Sequence, residues 1–121
     1  MRAATVSKEN YLKNILLIKK EKGYVRASEI AALMNVTRPS VSNAVHQLER
    51  EGYICIDRDR NISLTTIGLK VASAVLEKYE TLYALLISLG VSKDIASVDA
   101  GRIEYAISDY SFIRLKNIVT R

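Results

Sequence analysis

The sequence is poor in cysteine, proline and histidine, with one residue of each among 121. A single cysteine excludes an internal disulfide framework and leaves no cysteine pair for a zinc ion, so a reducing, cytoplasmic setting is expected. Lys8, Glu9 and Lys13 interrupt the N-terminal segment where a signal peptide needs an unbroken apolar core. No stretch approaches the roughly 20 apolar residues of a membrane span, so no membrane association is expected.

Motifs of catalysis are also missing. The sequence shows no His/Cys/Asp triad, no glycine-rich phosphate loop and no paired metal-ligand motif. It shows no internal repeat and no Pro-rich linker, and its 49% hydrophobic content suits one compact domain or a small domain with an assembly arm. These absences predict that the protein is not an enzyme.

The net charge of +5 is confined to the first 26 residues. Lys and Arg outnumber Glu9 and Glu21 there, whereas residues 27–70 and 71–121 are each balanced. A basic segment beside a recognition helix is what phosphate binding requires, because neutralising phosphates releases counterions. Taken alone, the charge is explained as well by a solvated helix face.

Helical periodicity begins close to the N-terminus. Over residues 8–21, Tyr11, Ile15 and Ile18 lie on one stripe at helical spacing. This spacing predicts an amphipathic helix, which Gly23 ends.

A pair of short helices is predicted next. Ser28 is expected to cap a helix from Glu29 to Met34, because its hydroxyl accepts from the unpaired N–H groups of the first turn. After a tight turn, Thr37 caps another helix, and Pro39 falls in its first turn, where the missing N–H costs nothing. Two short helices joined in this way are typical of a helix-turn-helix.

The apolar pattern changes period after Gly52. The segments YICID and ISLT alternate apolar and polar residues on either side of RDRN. They predict a β-hairpin with a basic tip, which we call the wing. Cys55 lies in its first strand, where a buried or half-buried apolar role is predicted.

Beyond the wing the pattern is helical again. A long helix is predicted over residues 66–89, and two short helices near 94–106 and 109–120. The predicted fold is therefore mainly α with a small β-hairpin wing. A winged helix-turn-helix DNA-binding domain is expected over residues 1–70, followed by an all-helical dimerisation domain over 71–121.

The long helix carries an apolar stripe that the segment beyond it is too small to bury. A homodimer is the economical way to cover this stripe, and its twofold axis would present two recognition helices to successive major grooves. The residues expected at the dimer contact are Val75, Tyr79, Leu82, Tyr83 and Leu86.

The helix predicted from Thr37 to about Glu51 has an outward face that is short and polar where it begins. Val41, Val45 and Leu48 cluster on the opposite, apolar side. A short polar face suits base edges in a DNA major groove, because a long side chain in the first turn would hold the helix away.

Individual roles follow from side-chain chemistry. Asn43 and Gln47 have the amide groups that pair with adenine, while Arg50, Arg58 and Arg60 suit the phosphate backbone. The histidine of this helix has no second metal ligand one turn away, so a surface or phosphate contact is favoured for it. The predicted DNA-binding residues are Arg26, Thr37, Arg38, Pro39, Ser40, Ser42, Asn43, His46, Gln47, Arg50, Arg58 and Arg60.

Four segments of the chain resemble the DtxR/MntR group of metal-dependent transcriptional repressors. They are ENYLKNILLI, EKGYVRASEIAALMNVTRPSVSNAVHQLEREGYI, LTTIGLKVA and LGVSKDIASVDAGRIEYAIS. The likeness runs from about Ser7 to Leu115. It implies a homodimer that binds palindromic operators in double-stranded DNA, and a role in manganese or iron homeostasis. The family's optional SH3-like domain is expected to be absent, because the sequence ends at Arg121.

The resemblance also implies Mn(II) or Fe(II) as cofactor, but the implied ligand positions do not match. Family members carry Asp, Met, Glu, Cys or His at these positions, and only Glu104 is a plausible ligand in this sequence. A cation at Lys13 would repel a divalent metal. We therefore expect the metal switch to be lost or replaced, with Lys13 paired to Glu104 as one hypothesis. The ligand positions that the resemblance implies are Asn10, Lys13, Tyr79, Gly101, Glu104 and Tyr105.

Two functions remain open from the sequence. The first is a dimeric, sequence-specific transcriptional regulator that binds DNA. The alternative is a winged-helix module that binds a protein partner and retains only vestigial DNA contacts. A steep salt dependence of DNA binding would separate the two.

Overall fold

The computed structural model describes residues 2–119, with side chains described from Lys8 onward. Contacts divide the chain into two compact units: unit 1 ends at Ser73, and unit 2 begins at Ala74. The predicted fold class, mainly α with a β-hairpin wing, is confirmed. The elements in chain order are α1 (Arg2–Lys22), α2 (Ala27–Met34), α3 (Arg38–Arg50), β1 (Ile54–Ile56), β2 (Ile62–Leu64), α4 (Thr66–Ser88), α5 (Lys93–Ala106) and α6 (Asp109–Val119).

Helix α1 begins earlier than the apolar stripe predicted, at Arg2 instead of residue 8. Alanines near the N-terminus favour helix without contributing to an apolar stripe, so periodicity alone does not detect this part. The stripe itself is confirmed, since Leu12 and Ile15 are almost completely buried. Helix α1 packs against α2, α3 and β2, and so forms the centre of unit 1.

The prediction that Ser28 caps α2 is wrong. The cap residue is Arg26, whose backbone N–H donates to Oε1 of Glu29 at 2.7 Å. A carboxylate three residues into a helix can reach back to the cap N–H, and Glu29 does so before Ser28 is needed. The helix ends at Asn35, whose φ of 55° is left-handed and turns the chain toward α3.

The predicted start of α3 is confirmed. Thr37 is the N-cap, with its Oγ1 accepting from the N–H of Ser40 at 3.2 Å, and Pro39 lies in the first turn. Val41 and Leu48 are almost completely buried. Their burial turns the polar side of α3 toward solvent.

The predicted wing is confirmed as a two-stranded antiparallel hairpin, in which Ile54 pairs with Leu64 and Cys55 with Ser63. The predicted burial of Cys55 is wrong, because its side chain is exposed. Alternation places Cys55 and Ser63 on one face of the hairpin, while Ile54 and Ile62 are buried on the other.

The start of α4 is joined closely to the start of the wing. The hydroxyl of Thr65 donates to the Gly52 carbonyl at 2.6 Å and accepts from the Gly68 N–H at 3.1 Å. The Thr65 N–H donates to the Tyr53 carbonyl at 3.0 Å. A Cβ at Gly68 would lie 1.9 Å from that carbonyl oxygen, so only glycine fits here.

Unit 2 combines a small apolar core with polar contacts between its helices. Phe112 of α6 is buried, and Lys78 of α4 lies 6.0 Å from its ring centre while pairing with Asp109 at 2.8 Å. A second pair joins Lys116 of α6 to Glu77 of α4. These contacts attach α6 to α4.

The predicted dimer stripe is only partly accessible. Val75 and Leu82 are buried, which leaves them little surface to offer a second copy, whereas Tyr79, Tyr83 and Leu86 are half-buried. The helix expected near 109–120 is described from Asp109 to Val119, and Thr120 lies outside the described residues. Within residues 2–119, no helix has both the length and the apolarity needed to cross a membrane.

Replacing Gly68 with alanine is expected to destabilise the protein by about 1–3 kcal/mol, because the added methyl group meets the Tyr53 backbone. The matched control is Gly101→Ala, since a Cβ at Gly101 meets nothing within 4 Å. That change is expected to be neutral or to stabilise by up to about 1 kcal/mol. Urea unfolding followed by circular dichroism measures both, and equal effects would contradict the close contact at Gly68.

Removing the Asp109 carboxylate is expected to lower the stability of the protein at neutral pH but not in strong acid. The hydrogen bond and positive charge of Lys78 hold the pKa of Asp109 below its ordinary value of 3.8. The stabilisation is therefore complete above pH 3.8 and is lost as the pH falls through the lowered pKa. Asp109→Asn should be slightly less stable than wild type at neutral pH and equally stable in strong acid, by urea unfolding. Glu80→Gln is the control, and a difference that persists in acid would refute the role of this pair.

Candidate nucleic-acid interface

Unit 1 has a groove of about 760 Å³ between α3, the start of α2 and the wing. Its floor includes Val45, Ile56 and Ile62, and its rims are polar. The residues that line it come from three segments spread over residues 26–62, so the groove exists only in the folded chain. Those of its lining residues that were predicted to bind DNA are Arg26, Arg38, Pro39, Ser42, His46, Arg58 and Arg60.

The groove is strongly basic. Four arginines line it, and Asp57 is the one acidic residue among its lining side chains in the described part of the chain. Concentrating cations around a concave surface raises the local positive potential, which attracts a polyanion. Arg26 comes from the α2 cap, Arg38 from the first turn of α3, and Arg58 and Arg60 from the wing tip.

The wing is held at a defined position relative to the helices. The Val25 N–H donates to Oδ1 of Asn61 at 3.0 Å, and the Ile62 N–H donates to the Val25 carbonyl at 2.8 Å. On the other strand, the Ile56 N–H donates to Oε2 of Glu49 in α3 at 3.3 Å. These bonds set the width of the groove.

Asp57 organises the wing tip. Its Oδ1 accepts from the backbone N–H groups of Asp59 and Asn61, each at 2.9 Å, and its carbonyl accepts from the Arg60 N–H at 3.0 Å. Arg60 has a φ of 63°, a left-handed conformation that costs a non-glycine residue about 1–2 kcal/mol. The turn therefore fixes the backbone conformation of Arg60 at some energetic cost.

His46 has a defined tautomer in this arrangement. Its Nδ1 lies 2.7 Å from the Ser42 carbonyl oxygen, which can only accept, so Nδ1 carries the proton. Nε2 is then the acceptor of the neutral ring, on a residue that lines the groove.

The far end of α3 is already occupied by its own hydrogen bonds. Gln47 donates from Nε2 to Glu51 at 2.6 Å and accepts at Oε1 from Arg50 at 2.8 Å, while Glu51 pairs with Lys8 at 2.8 Å. This pairing lowers the pKa of Glu51 and raises that of Lys8. A base contact from Gln47 would require these bonds to break, whereas Asn43 is exposed on the same side of α3.

The other predicted residues, at the cap and along α3, do not line the groove. Thr37 and Ser40 form the helix cap, with their hydroxyls 2.8 Å apart, and both are exposed. Two polar groove residues were missed, Ser28 and Asp57. Ser28 was interpreted as a cap, and the role of Asp57 depends on turn geometry. An aspartate at the start of a polar turn often accepts from the backbone N–H two residues on, and this pattern could have identified Asp57.

The residues at the implied metal positions either form other hydrogen bonds or are not of a type that binds a transition metal. The Asn10 side-chain oxygen lies 3.3 Å from Nδ2 of Asn14, which donates to it. Lys13 and Glu104 are buried, and Tyr105 is exposed. Among the described residues, no three His, Cys, Asp or Glu side chains are grouped to hold a metal ion.

A helix-turn-helix followed by a basic hairpin, with the second helix facing outward, defines the winged helix-turn-helix class. Residues 4–62 match the family described as iron dependent repressor, N-terminal DNA binding domain. Residues 65–121 match the family described as iron dependent repressor, metal binding and dimerisation domain. The chain belongs to this family, and the predicted resemblance to the DtxR/MntR group is confirmed.

Named relatives support the same assignment. The HTH-type transcriptional regulator MntR of Lysinibacillus sphaericus is 31% identical over 115 residues, which are 95% of this chain and 83% of the relative. An uncharacterized HTH-type transcriptional regulator of Methanocaldococcus jannaschii is 35% identical over 110 residues, 89% of this chain and 88% of the relative.

Solved structures share the fold. The metal-dependent transcriptional regulator MtsR is 26% identical with a TM-score of 0.85. The manganese regulator SloR is 28% identical with a TM-score of 0.81. Each match covers 93% of this chain but 53% of the other, so the chain spans about half the length of these two proteins.

The family description implies a metal, and the residues present do not fit one. A transition-metal site needs several converging nitrogen, sulfur or carboxylate ligands. At the implied positions this chain has an asparagine, a lysine, two tyrosines, a glycine and one glutamate. No step that depends on a metal is therefore assigned to this site.

Asp57→Ala is expected to weaken binding to double-stranded DNA about three- to tenfold, although it removes a negative charge from a basic groove. The loss follows from releasing two N–H groups that hold the wing tip. Asp59→Ala is the matched control, because it removes the same charge from the same turn without removing an acceptor of these two bonds. It should bind DNA equally well or slightly better. Fluorescence anisotropy at fixed salt compares them, and tighter binding by Asp57→Ala would show that the turn does not position the arginines.

Proposed function

We propose that this chain is a transcriptional regulator that binds double-stranded DNA through the basic groove and the outward face of α3, and that it does so as a homodimer in the cytoplasm. The printed names of its relatives describe HTH-type transcriptional regulators, which favours a binding function over catalysis.

One observation carries the proposal: four arginines from three separate segments line the same groove as the first turns of α3. Scattered surface arginines would serve solubility equally well, but a shared concave surface does not arise from solubility alone. Phosphates of a duplex are the ligands that such a surface fits, because they form a regular row of negative charges.

Base recognition is assigned to the exposed polar residues of α3. Ser42 and Asn43 are short, exposed and close to the helix start, which lets the helix backbone approach base edges. Asn43 has the paired donor and acceptor that match adenine. Gln47 is a weaker candidate, since its amide is already bonded at both ends.

The homodimer is supported by apolar surface in unit 2 and by the family's description as a dimerisation domain. Large exposed apolar patches usually mark interaction sites. Because Val75 and Leu82 are buried, we propose that other apolar side chains contribute most of the contact, joined by the half-buried Tyr79, Tyr83 and Leu86. Exposed candidates are Ile87, Leu89, Ile95, Val98, Tyr105, Tyr110, Ile113 and Ile118. A twofold axis would then match a palindromic operator.

Arg58→Ala and Arg60→Ala are each expected to weaken DNA binding and to flatten its salt dependence. Each phosphate contact contributes about 0.9 to the slope of log affinity against log salt concentration, so each variant should lose roughly that amount. Anisotropy titrations on a labelled duplex at several salt concentrations measure the slope.

Arg102→Ala is the matched control, because Arg102 is an exposed arginine of α5 in unit 2. Its slope should equal that of the wild type. A wild-type affinity that hardly varies with salt would contradict the proposal and favour the alternative, a winged-helix module that binds a protein partner.

A further inference from the structure

We propose that this regulator does not use Mn(II) or Fe(II) to control DNA binding, because a lysine and neutral residues occupy five of the six positions where the family resemblance implies metal ligands. The part of this inference that concerns DNA rests on the proposed function. The part that concerns metal binding stands separately.

Two of the implied ligand positions hold neutral groups that bond elsewhere. The Asn10 amide oxygen accepts from Asn14 within α1. The Tyr79 hydroxyl lies 3.2 Å from Oγ of Ser97, and its ring stacks on Tyr83 with ring centres 6.0 Å apart. Binding a metal through either residue would first break these contacts. A neutral phenol is also a poor ligand for Mn(II) or Fe(II), which prefer carboxylate and imidazole.

A third position holds Lys13, whose side chain is buried. A protonated lysine has three donors and no lone pair for a metal. Its charge also opposes the approach of a divalent cation. Replacing a ligand by a buried lysine therefore removes a metal bond and adds a repulsion.

The remaining acidic residues do not form a substitute site. No cluster of three metal-binding side chains exists among the described residues, and the sequence places no His, Cys, Asp or Glu at positions 1–7, 120 or 121. In unit 2, the carboxylates of Asp109 and Glu77 are paired with Lys78 and Lys116.

These lysine pairs also supply a connection between helices that needs no ion. Lys78 contacts both Asp109 and the ring of Phe112, and Lys116 contacts Glu77, so α6 is attached to α4 at two places. An ammonium group can join a carboxylate on one helix to another helix, much as a bound cation joins two ligands. These contacts between α4 and α6 are made by the chain's own side chains.

The metal-binding half of the inference is tested on the full-length protein without DNA. Electron paramagnetic resonance of added MnCl₂ reports free Mn(II), whose signal broadens on binding. With wild-type protein in excess over Mn(II), the signal of free Mn(II) is expected to stay within about 10% of its value in buffer, because almost no Mn(II) is bound. Loss of most of the free Mn(II) signal at micromolar concentrations of metal and protein would overturn the proposal.

The matched variant is Tyr79→His/Gly101→Glu/Tyr105→His. Beside the native Glu104, it places on α4 and α5 the ligand types that the family resemblance implies. The backbone at Gly101 has room for a side chain, since a Cβ there meets nothing within 4 Å. The variant is expected to bind Mn(II) at least about tenfold more tightly than wild type. Equal, micromolar binding by both proteins would show that Mn(II) has a site elsewhere and would refute the proposal. A wild type that leaves the signal unchanged supports it whatever the variant does.

The DNA half uses duplexes selected from a random pool by the wild-type protein, in parallel with EDTA and with MnCl₂ or FeCl₂. The affinity for the selected duplex should differ by less than about twofold between chelator and metal. A gain of tenfold or more with metal would overturn this inference and leave the proposed function intact. Failure to bind any duplex under every condition would refute the proposed function, while the Mn(II) titration would still decide the question of metal binding.

Discussion

The burial of one side of α3 is the constraint on which the rest of unit 1 depends. Val41, Val45 and Leu48 give up nearly all their exposed surface, and this orients the whole helix. Burying an aliphatic side chain of this size contributes roughly 1.5–3 kcal/mol. The polar side of α3 therefore faces outward because the other side is held inward, and the short residues of its first turn become available to a ligand.

Hydrogen bonds from Val25 and Asp57 hold the basic groove next to α3 in one shape. Arginines repel one another, so they do not gather without a support. Val25 supplies part of that support by bonding to Asn61 and Ile62, and Asp57 fixes the turn that contains Arg60. Asp57 lowers the total charge of the groove, but its bonds to the Asp59 and Asn61 N–H groups fix the backbone of the turn that carries Arg58 and Arg60.

Unit 2 combines a family's architecture with different chemistry. The match to a domain described as metal binding and dimerisation covers it, while its lysines pair with the carboxylates of Asp109 and Glu77. An ion pair formed by the chain itself needs no added ion, whereas a bound ion is present only when its concentration allows. The contacts between α4 and α6 in unit 2 are therefore made by the chain's own side chains.

Local features of the sequence were sufficient for the order of the elements. Thr37 and Pro39 mark the start of α3, and alternation marks both strands of the wing, because caps and periodicity depend on residues a few positions apart. The exposure of Cys55 and the gathering of arginines into a groove were decided by the tertiary structure. Each depends on which distant segments pack together, and packing between segments distant in sequence leaves no local pattern to read.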